Sequence, residues 1–217
     1  MKIIPMYPEP LKLKIHLEHT DIYRIVLVPS DINMLQFHMV CQEAMGWNMV
    51  HLFQFSDKKI NESIRAGLPM PEEDFGFGGG VEEVKADTVN LADFEEITAR
   101  KPFWYWYDFG DDWWHKISFQ KPTKKELELY KGEPICIKGE KACPPEDIGG
   151  VGGYYHFLEI LEDKKNPERE ELMEWYGIEE GDEFDENYFD LEDTNVFLSE
   201  LFESEFWNMT ADEFMSQ

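Results

Sequence analysis

The sequence predicts an α+β fold: a small mixed sheet opening strand-strand-helix-strand, a central aromatic hairpin and an acidic helical C-terminal region. Three observations predict it. Leu11, Leu13, Ile15 and Leu17 alternate with Lys12, Lys14, His16 and Glu18, the period of two of a half-buried strand. The segment FWYWYDFGDDWWHKI (103–117) reads as two aromatic strands around a turn at Gly110 and Asp111. From Glu170 to Gln217 there are seventeen Asp and Glu, no Lys or Arg, and apolar residues at helical spacing.

The elements follow in order. After the first strand, IYRIVLVP is rich in β-branched residues and reads as its hairpin partner. Ser30 and Asp31 are N-cap candidates for a helix over Ile32 to Met45, which Gly46 ends. Val50 to Phe55 alternates again as a third strand, and the unit resembles a β-grasp opening. Residues 57–101 carry the weakest pattern: a Gly/Pro/acid loop at 69–80, then a short helix over Leu91 to Ala99. The hairpin pairs Phe103–Phe109 with Trp113–Phe119, and Ile135–Ile137 adds a short strand. Helices are predicted over Tyr154–Leu161, over Pro167–Tyr176 with Pro at the first position, and over Leu191–Phe206. The last should turn Val196, Leu198, Leu201 and Phe202 to one side. Residues 1–217 are read as a single domain, with a body over about 9–165 and an acidic extension over about 166–217.

Composition narrows the function. Sixteen Phe, nine Tyr and seven Trp are enough to build a substantial core. No apolar run reaches the ~20 residues that span a bilayer, and MKIIPMYPEP lacks the apolar core of a signal peptide. Three cysteines, an odd number with no CxxC pair, fit a reducing cytoplasm, so the expected location is cytoplasmic. The net charge of −26 disfavours sequence-independent nucleic-acid binding. Such acid serves solubility or adaptation to a salty cytosol, or docks a basic protein partner.

Several motifs fail on inspection. Asp108-Phe109-Gly110 matches the kinase magnesium tripeptide, yet no HRD loop or Lys-bearing strand motif accompanies it. GFGGG (76–80) and GGVGG (149–153) share only glycine content with phosphate loops. Asp185 and Asn187 fit two positions of a calcium loop, but Asp190 and Val196 stand where Gly and Glu belong. His38 and Cys41 lie on the core side of a predicted helix and read as packed side chains, whereas His51 is expected at a sheet edge near the hairpin.

Two motifs carry chemistry. On the hairpin, Trp113, His115 and Ile117 share a face, and Asp108 is expected to share one with Trp104 and Trp106. Carboxylate, imidazole and indole together suit metal ligation, acid/base work or a flat cationic ligand. In CPPEDIGG, Pro144 and Pro145 stiffen the loop that presents Glu146 and Asp147, and the following glycines permit close backbone approach. The candidate pocket is Asp108, Asp111, Trp113, His115, Glu146 and Asp147. A divalent metal is the candidate cofactor, with Asp108, His115 and Glu146 as candidate ligands.

LKLKIHL, IYRIVLVP, MLQFHMVCQEAMGWNMVHLFQF, YDFGDDWWHKI, CIKGEKACPPEDIGGVGGYYHFLEIL and FDENYFDLEDTN, in this order, resemble the plasmid pRiA4b ORF-3-like family over about residues 9–200. The resemblance implies an α+β domain and no settled activity. Some members carry a transposon-resolvase label, which twenty basic residues against forty-six acids do not support. Two readings stay open: a module that binds a small ligand or a basic partner through the aromatic-acidic pocket, and a metal-dependent hydrolase or nuclease. No membrane association is expected.

Overall fold

A computed structural model describes residues 7–69, 80–178 and 182–216. Most of the expected 69–80 loop lies outside the described residues. The strands are β1 (Leu11–Leu17), β2 (Tyr23–Val28), β3 (Phe53–Ser56), β4 (Ile64–Gly67), β5 (Glu82–Lys85), β6 (Phe103–Tyr107), β7 (Trp113–Gln120) and β8 (Ile135–Glu140). The α-helices are α1 (Met34–Met45), α2 (Leu91–Ile97), α3 (Lys124–Leu129), α4 (Gly150–Glu162), α5 (Arg169–Tyr176), α6 (Leu191–Glu203) and α7 (Ala211–Phe214). All eight strands form one mixed sheet in the order β5-β4-β3-β6-β7-β1-β2-β8, antiparallel except for β4–β5. The β-grasp expectation holds for the order of elements but not for their pairing. The aromatic hairpin β6–β7 inserts between β1 and β3, pairing Leu17 with His115 on one side and Tyr107 with Phe53 on the other.

The inner face is built by alternation. Leu13, Ile15 and Leu17 of β1, Phe103, Tyr105 and Tyr107 of β6, and Trp113, His115 and Ile117 of β7 are all fully buried. Helix α1 closes this face, with Phe37 stacked on Phe55 and His38 stacked on Phe53 at 3.7 Å. On the outer face Trp104, Trp106 and Trp114 are half-buried, and Lys12, Lys14 and His16 continue it across β1.

Helix α1 starts at Asn33, not at Ser30 or Asp31. Asn33 accepts from Gln36 N at 2.8 Å and Gln36 Oε1 accepts from Asn33 N at 2.9 Å, a reciprocal cap neither earlier residue makes. Gly46, at φ 94°, ends the helix as expected. Helix α5 likewise begins two residues beyond Pro167, with Glu168 as its N-cap residue.

The acidic C-terminal region joins the main core. Leu198, Leu201, Trp207 and Ala211 belong to the same buried cluster as the sheet, and Gln36 Nε2 donates to Trp207 O at 3.1 Å. The buried stripe of α6 is Thr194, Leu198 and Leu201; Val196 lies roughly 200° around the helix from Thr194 and is exposed. That corrects its expected place on the apolar side. Asn195 of α6 meets the edge strand β8: its Oδ1 accepts from Cys136 N at 2.7 Å and its Nδ2 donates to Cys136 O at 2.9 Å.

Candidate metal centre at the sheet end

Strand β6 stops at Tyr107 because Asp108 turns into the left-handed region at φ 51°. There its Oδ1 accepts from Gly110 N at 3.0 Å and Asp111 N at 3.3 Å, fixing the turn, while its own N donates to Leu52 O. The free oxygen, Oδ2, faces His51 Nε2 at 3.6 Å. Asp147, also left-handed at φ 57°, brings Oδ1 within 3.3 Å of the same nitrogen. His51 Nε2 is shut off from solvent and makes no hydrogen bond. One donor atom from each of His51, Asp108 and Asp147 therefore lies within 4.8 Å of the others.

The surrounding contacts hold the two motifs together. Glu146 Oε1 accepts from Tyr107 OH, and Oε2 accepts from Asn48 Nδ2 at 2.7 Å and Asn48 N at 3.2 Å. Burial, and then the Glu146 carboxylate, push the Tyr107 phenol well above its usual range, so it remains an O–H donor. Asp111 Oδ2 accepts from Gly149 N at 2.9 Å. Gly150, at φ 69°, passes so close to the hairpin turn that a Cβ there would meet Asp111 O at 2.2 Å. Gly153 is needed for a similar approach to Ile148 O, whereas Gly152 faces open space.

Trp113 and His115 lie beneath this rim, both fully buried. Neither His115 nitrogen makes a hydrogen bond of good geometry, although the backbone of Tyr105 and Trp113 slightly favours the protonated ring. Burial dominates and lowers its pKa to about 3, so His115 is a neutral core residue. The expected face of carboxylate, imidazole and indole is corrected by the register. Tyr105 pairs with His115 on the inner face, Trp104 and Trp106 pair with Lys116 and Trp114 on the outer one, and Asp108 has left the strand. The imidazole that lies beside the carboxylates is that of His51.

Trp47, which follows the helix-ending Gly46, is not among the pocket residues expected from the sequence. It stacks on Tyr107 at 5.1 Å, meets His115 edge-on at 5.3 Å, and donates from Nε1 to Pro144 O at 2.9 Å. One side chain thus ties the end of α1 to the hairpin and to the proline loop. Its signal was the apolar residue directly after the helix-ending Gly46. His38, as expected, is packed, with Nδ1 at 2.7 Å from Tyr105 OH.

Sheet, hairpin and loop together define an α+β fold with a carboxylate-rich rim at one sheet end. The profile of the plasmid pRiA4b ORF-3-like protein family matches residues 9–193, and the chain belongs to that family. It is 32% identical over 188 residues to the uncharacterised protein y4hQ of Sinorhizobium fredii, covering 86% of this chain and 90% of the relative. It is also similar to the crystal structure of a protein of unknown function, MM3350 of Methanosarcina mazei Go1. That likeness has a TM-score of 0.68 and 31% identity, and covers 87% of this chain and 97% of the other. No helix among the described residues is long and apolar enough to cross a membrane.

Proposed function

We propose that the chain is a divalent-metal-binding module in which His51, Asp108 and Asp147 hold the ion, with Glu146 and Asp111 fixing loop and hairpin around it. The buried, unbonded His51 Nε2 between two carboxylate oxygens carries this reading. At 3.3 and 3.6 Å these contacts are long for N–H···O hydrogen bonds. They match the spacing of neighbouring ligands around an ion bound at about 2.0–2.1 Å, which is about 3.3 Å in a tetrahedral site. One imidazole and two carboxylates suit Zn²⁺, Mn²⁺ or Fe²⁺ better than ions that prefer an all-oxygen shell.

The test is titration of the purified chain with Zn²⁺ and Mn²⁺ by calorimetry. One ion per chain is expected, weakened at least about tenfold by His51→Ala, Asp108→Asn or Asp147→Asn, and unchanged by His115→Phe. A wild type that binds neither ion, or His51→Ala binding as well as wild type, would remove the proposal. One observation favours the hydrolase or nuclease reading: three protein donors leave room for a water, the arrangement of catalytic rather than closed structural sites. Metal-dependent cleavage of a phosphodiester or ester reporter, lost in Asp147→Asn, would move the protein to that class.

A further inference from the structure

Beside the rim, the end of α1, the proline loop and residues 175–178 and 182–197 border a cleft of about 770 Å³. That volume lies within the range of about 300–1,000 Å³ usual for ligand sites. Its walls combine two unrelated oddities. Glu43, Asp182, Asp185, Asp190 and Asp193 line it with carboxylates. Trp175, Tyr188 and Phe197, which are 51%, 59% and 52% exposed, leave large aromatic faces in water. Exposed apolar surface gathered at one concavity marks an interaction site, and here it stands among negative charges.

The cleft has almost no cation of its own to neutralise them. Among the described residues Arg24 is the only Lys or Arg lining it, and its guanidinium is committed elsewhere. Nε donates to Ala44 O, Nη1 to Tyr23 O and Glu140 O, and Nη2 to Lys141 O. The guanidinium lies 4.1 Å from the Phe189 ring centroid, so the cleft already holds one guanidinium against an aromatic ring. Lys164 pairs with Glu183 at one margin, and among the described residues Glu43, Asp182, Asp185, Asp190 and Asp193 form no ion pair, Asp190 accepting instead from the backbone of Glu192 and Asp193. Glu43 is held above its usual range by burial and by Glu200, a state that a nearby cation would relieve.

We propose that this cleft docks an Arg- or Lys-bearing segment of a partner protein, its cationic heads against the carboxylates and its apolar atoms over Trp175 and Phe197. The aromatic area argues for a peptide, whose apolar side chains can cover several rings at once, whereas a polyamine offers only thin methylene runs between its charges. The inference stands apart from the metal reading and uses none of the three proposed ligands.

A chain of charge −26 attracts any polycation, so the test must separate local from global charge. The full chain is titrated at 0.15 M salt, by tryptophan fluorescence, with the peptide (Arg-Leu)4, with (Glu-Leu)4 and with spermine. The expected result is saturable 1:1 binding of (Arg-Leu)4 alone. It should weaken at least about tenfold in Trp175→Ala/Phe197→Ala and in Asp182→Asn/Asp193→Asn. The control Glu82→Gln/Glu96→Gln removes the same charge at exposed positions outside the cleft and should bind like wild type. Equal weakening in the control, or no binding at this salt, overturns the proposal. So does spermine binding as tightly as the peptide with Trp175 and Phe197 dispensable, which would make the cleft a small-cation site. Circular dichroism of each variant confirms that the fold is intact.

Discussion

Replacing His115 by Phe should change how stability depends on pH, by an amount set by burial alone. His115 is fully buried among Trp47, Tyr105 and Trp113, and its folded pKa falls from 6.5 to about 3. Its folded pKa lies below the unfolded one, so above pH 6.5 the ring is neutral in both states and adds no slope. Between pH 6.5 and about 3 the unfolded chain takes up a proton that the folded chain refuses, and stability falls as pH falls. The slope approaches ~1.4 kcal/mol per pH unit, so at pH 5 the cost is about 2 kcal/mol. His38 is also fully buried and lowered by burial, and it acts in the same direction. The many carboxylates act oppositely, since their protonation relieves self-repulsion, so the wild-type profile alone is ambiguous. Phe fits an aromatic core and does not titrate, and whatever packing offset it brings is independent of pH. Urea unfolding of wild type and His115→Phe at pH 8, 7, 6 and 5 should give a stability difference that is flat to about 6.5 and then grows in favour of Phe. Parallel profiles down to pH 5 would refute the reasoning and show that His115 protonates in place.

Two further outcomes follow from packing. Gly150→Ala puts a Cβ 2.2 Å from Asp111 O at a left-handed position, so it should cost more than about 1 kcal/mol and part the loop from the hairpin. A melting temperature equal to wild type would show that the two motifs are not held together there. Leu198→Ala should cost about 2–5 kcal/mol and lower one cooperative transition, because its side chain belongs to the sheet's core. A separate early transition confined to residues after Arg169 would mean that the acidic region folds on its own.

What could be read from the sequence was whatever is local. β1, β2 and the hairpin carry strong periodicity and appear almost as expected, and α2 forms where a short helix is expected in a weakly patterned span. β4 and β5, only four residues each (IRAG and EEVK), have too little pattern, and their parallel pairing is set by tertiary contacts. Helix α4 starts earlier than its apolar pattern, at Gly150 after a left-handed Gly149, positions that no helix propensity would choose. Strand order was illegible, since nothing local says that β6–β7 will separate β1 from β3. The site shows the same division. Asp108, Asp111, Glu146 and Asp147 stood out as carboxylates on turns and a stiff loop, and the structure brings their two motifs together. His115 stood out for its neighbours, but which face it takes depends on register. His51 comes within 3.6 Å of Asp108 only because β3 pairs beside β6, which no local pattern shows.

The amide of Asn195 against Cys136 bears on how the edge of the sheet is protected. An open eight-stranded sheet ends in two rows of unpaired peptide groups, each a template on which another chain can polymerise. At the β8 end a side-chain amide supplies one donor and one acceptor to the backbone of Cys136, standing in for a ninth strand. At the other end β5 is four residues long, and three of them (Glu82, Glu83 and Lys85) are charged and exposed. One border is capped at Cys136 and the other carries charge, two features that disfavour edge-to-edge pairing of the broad sheet with another chain.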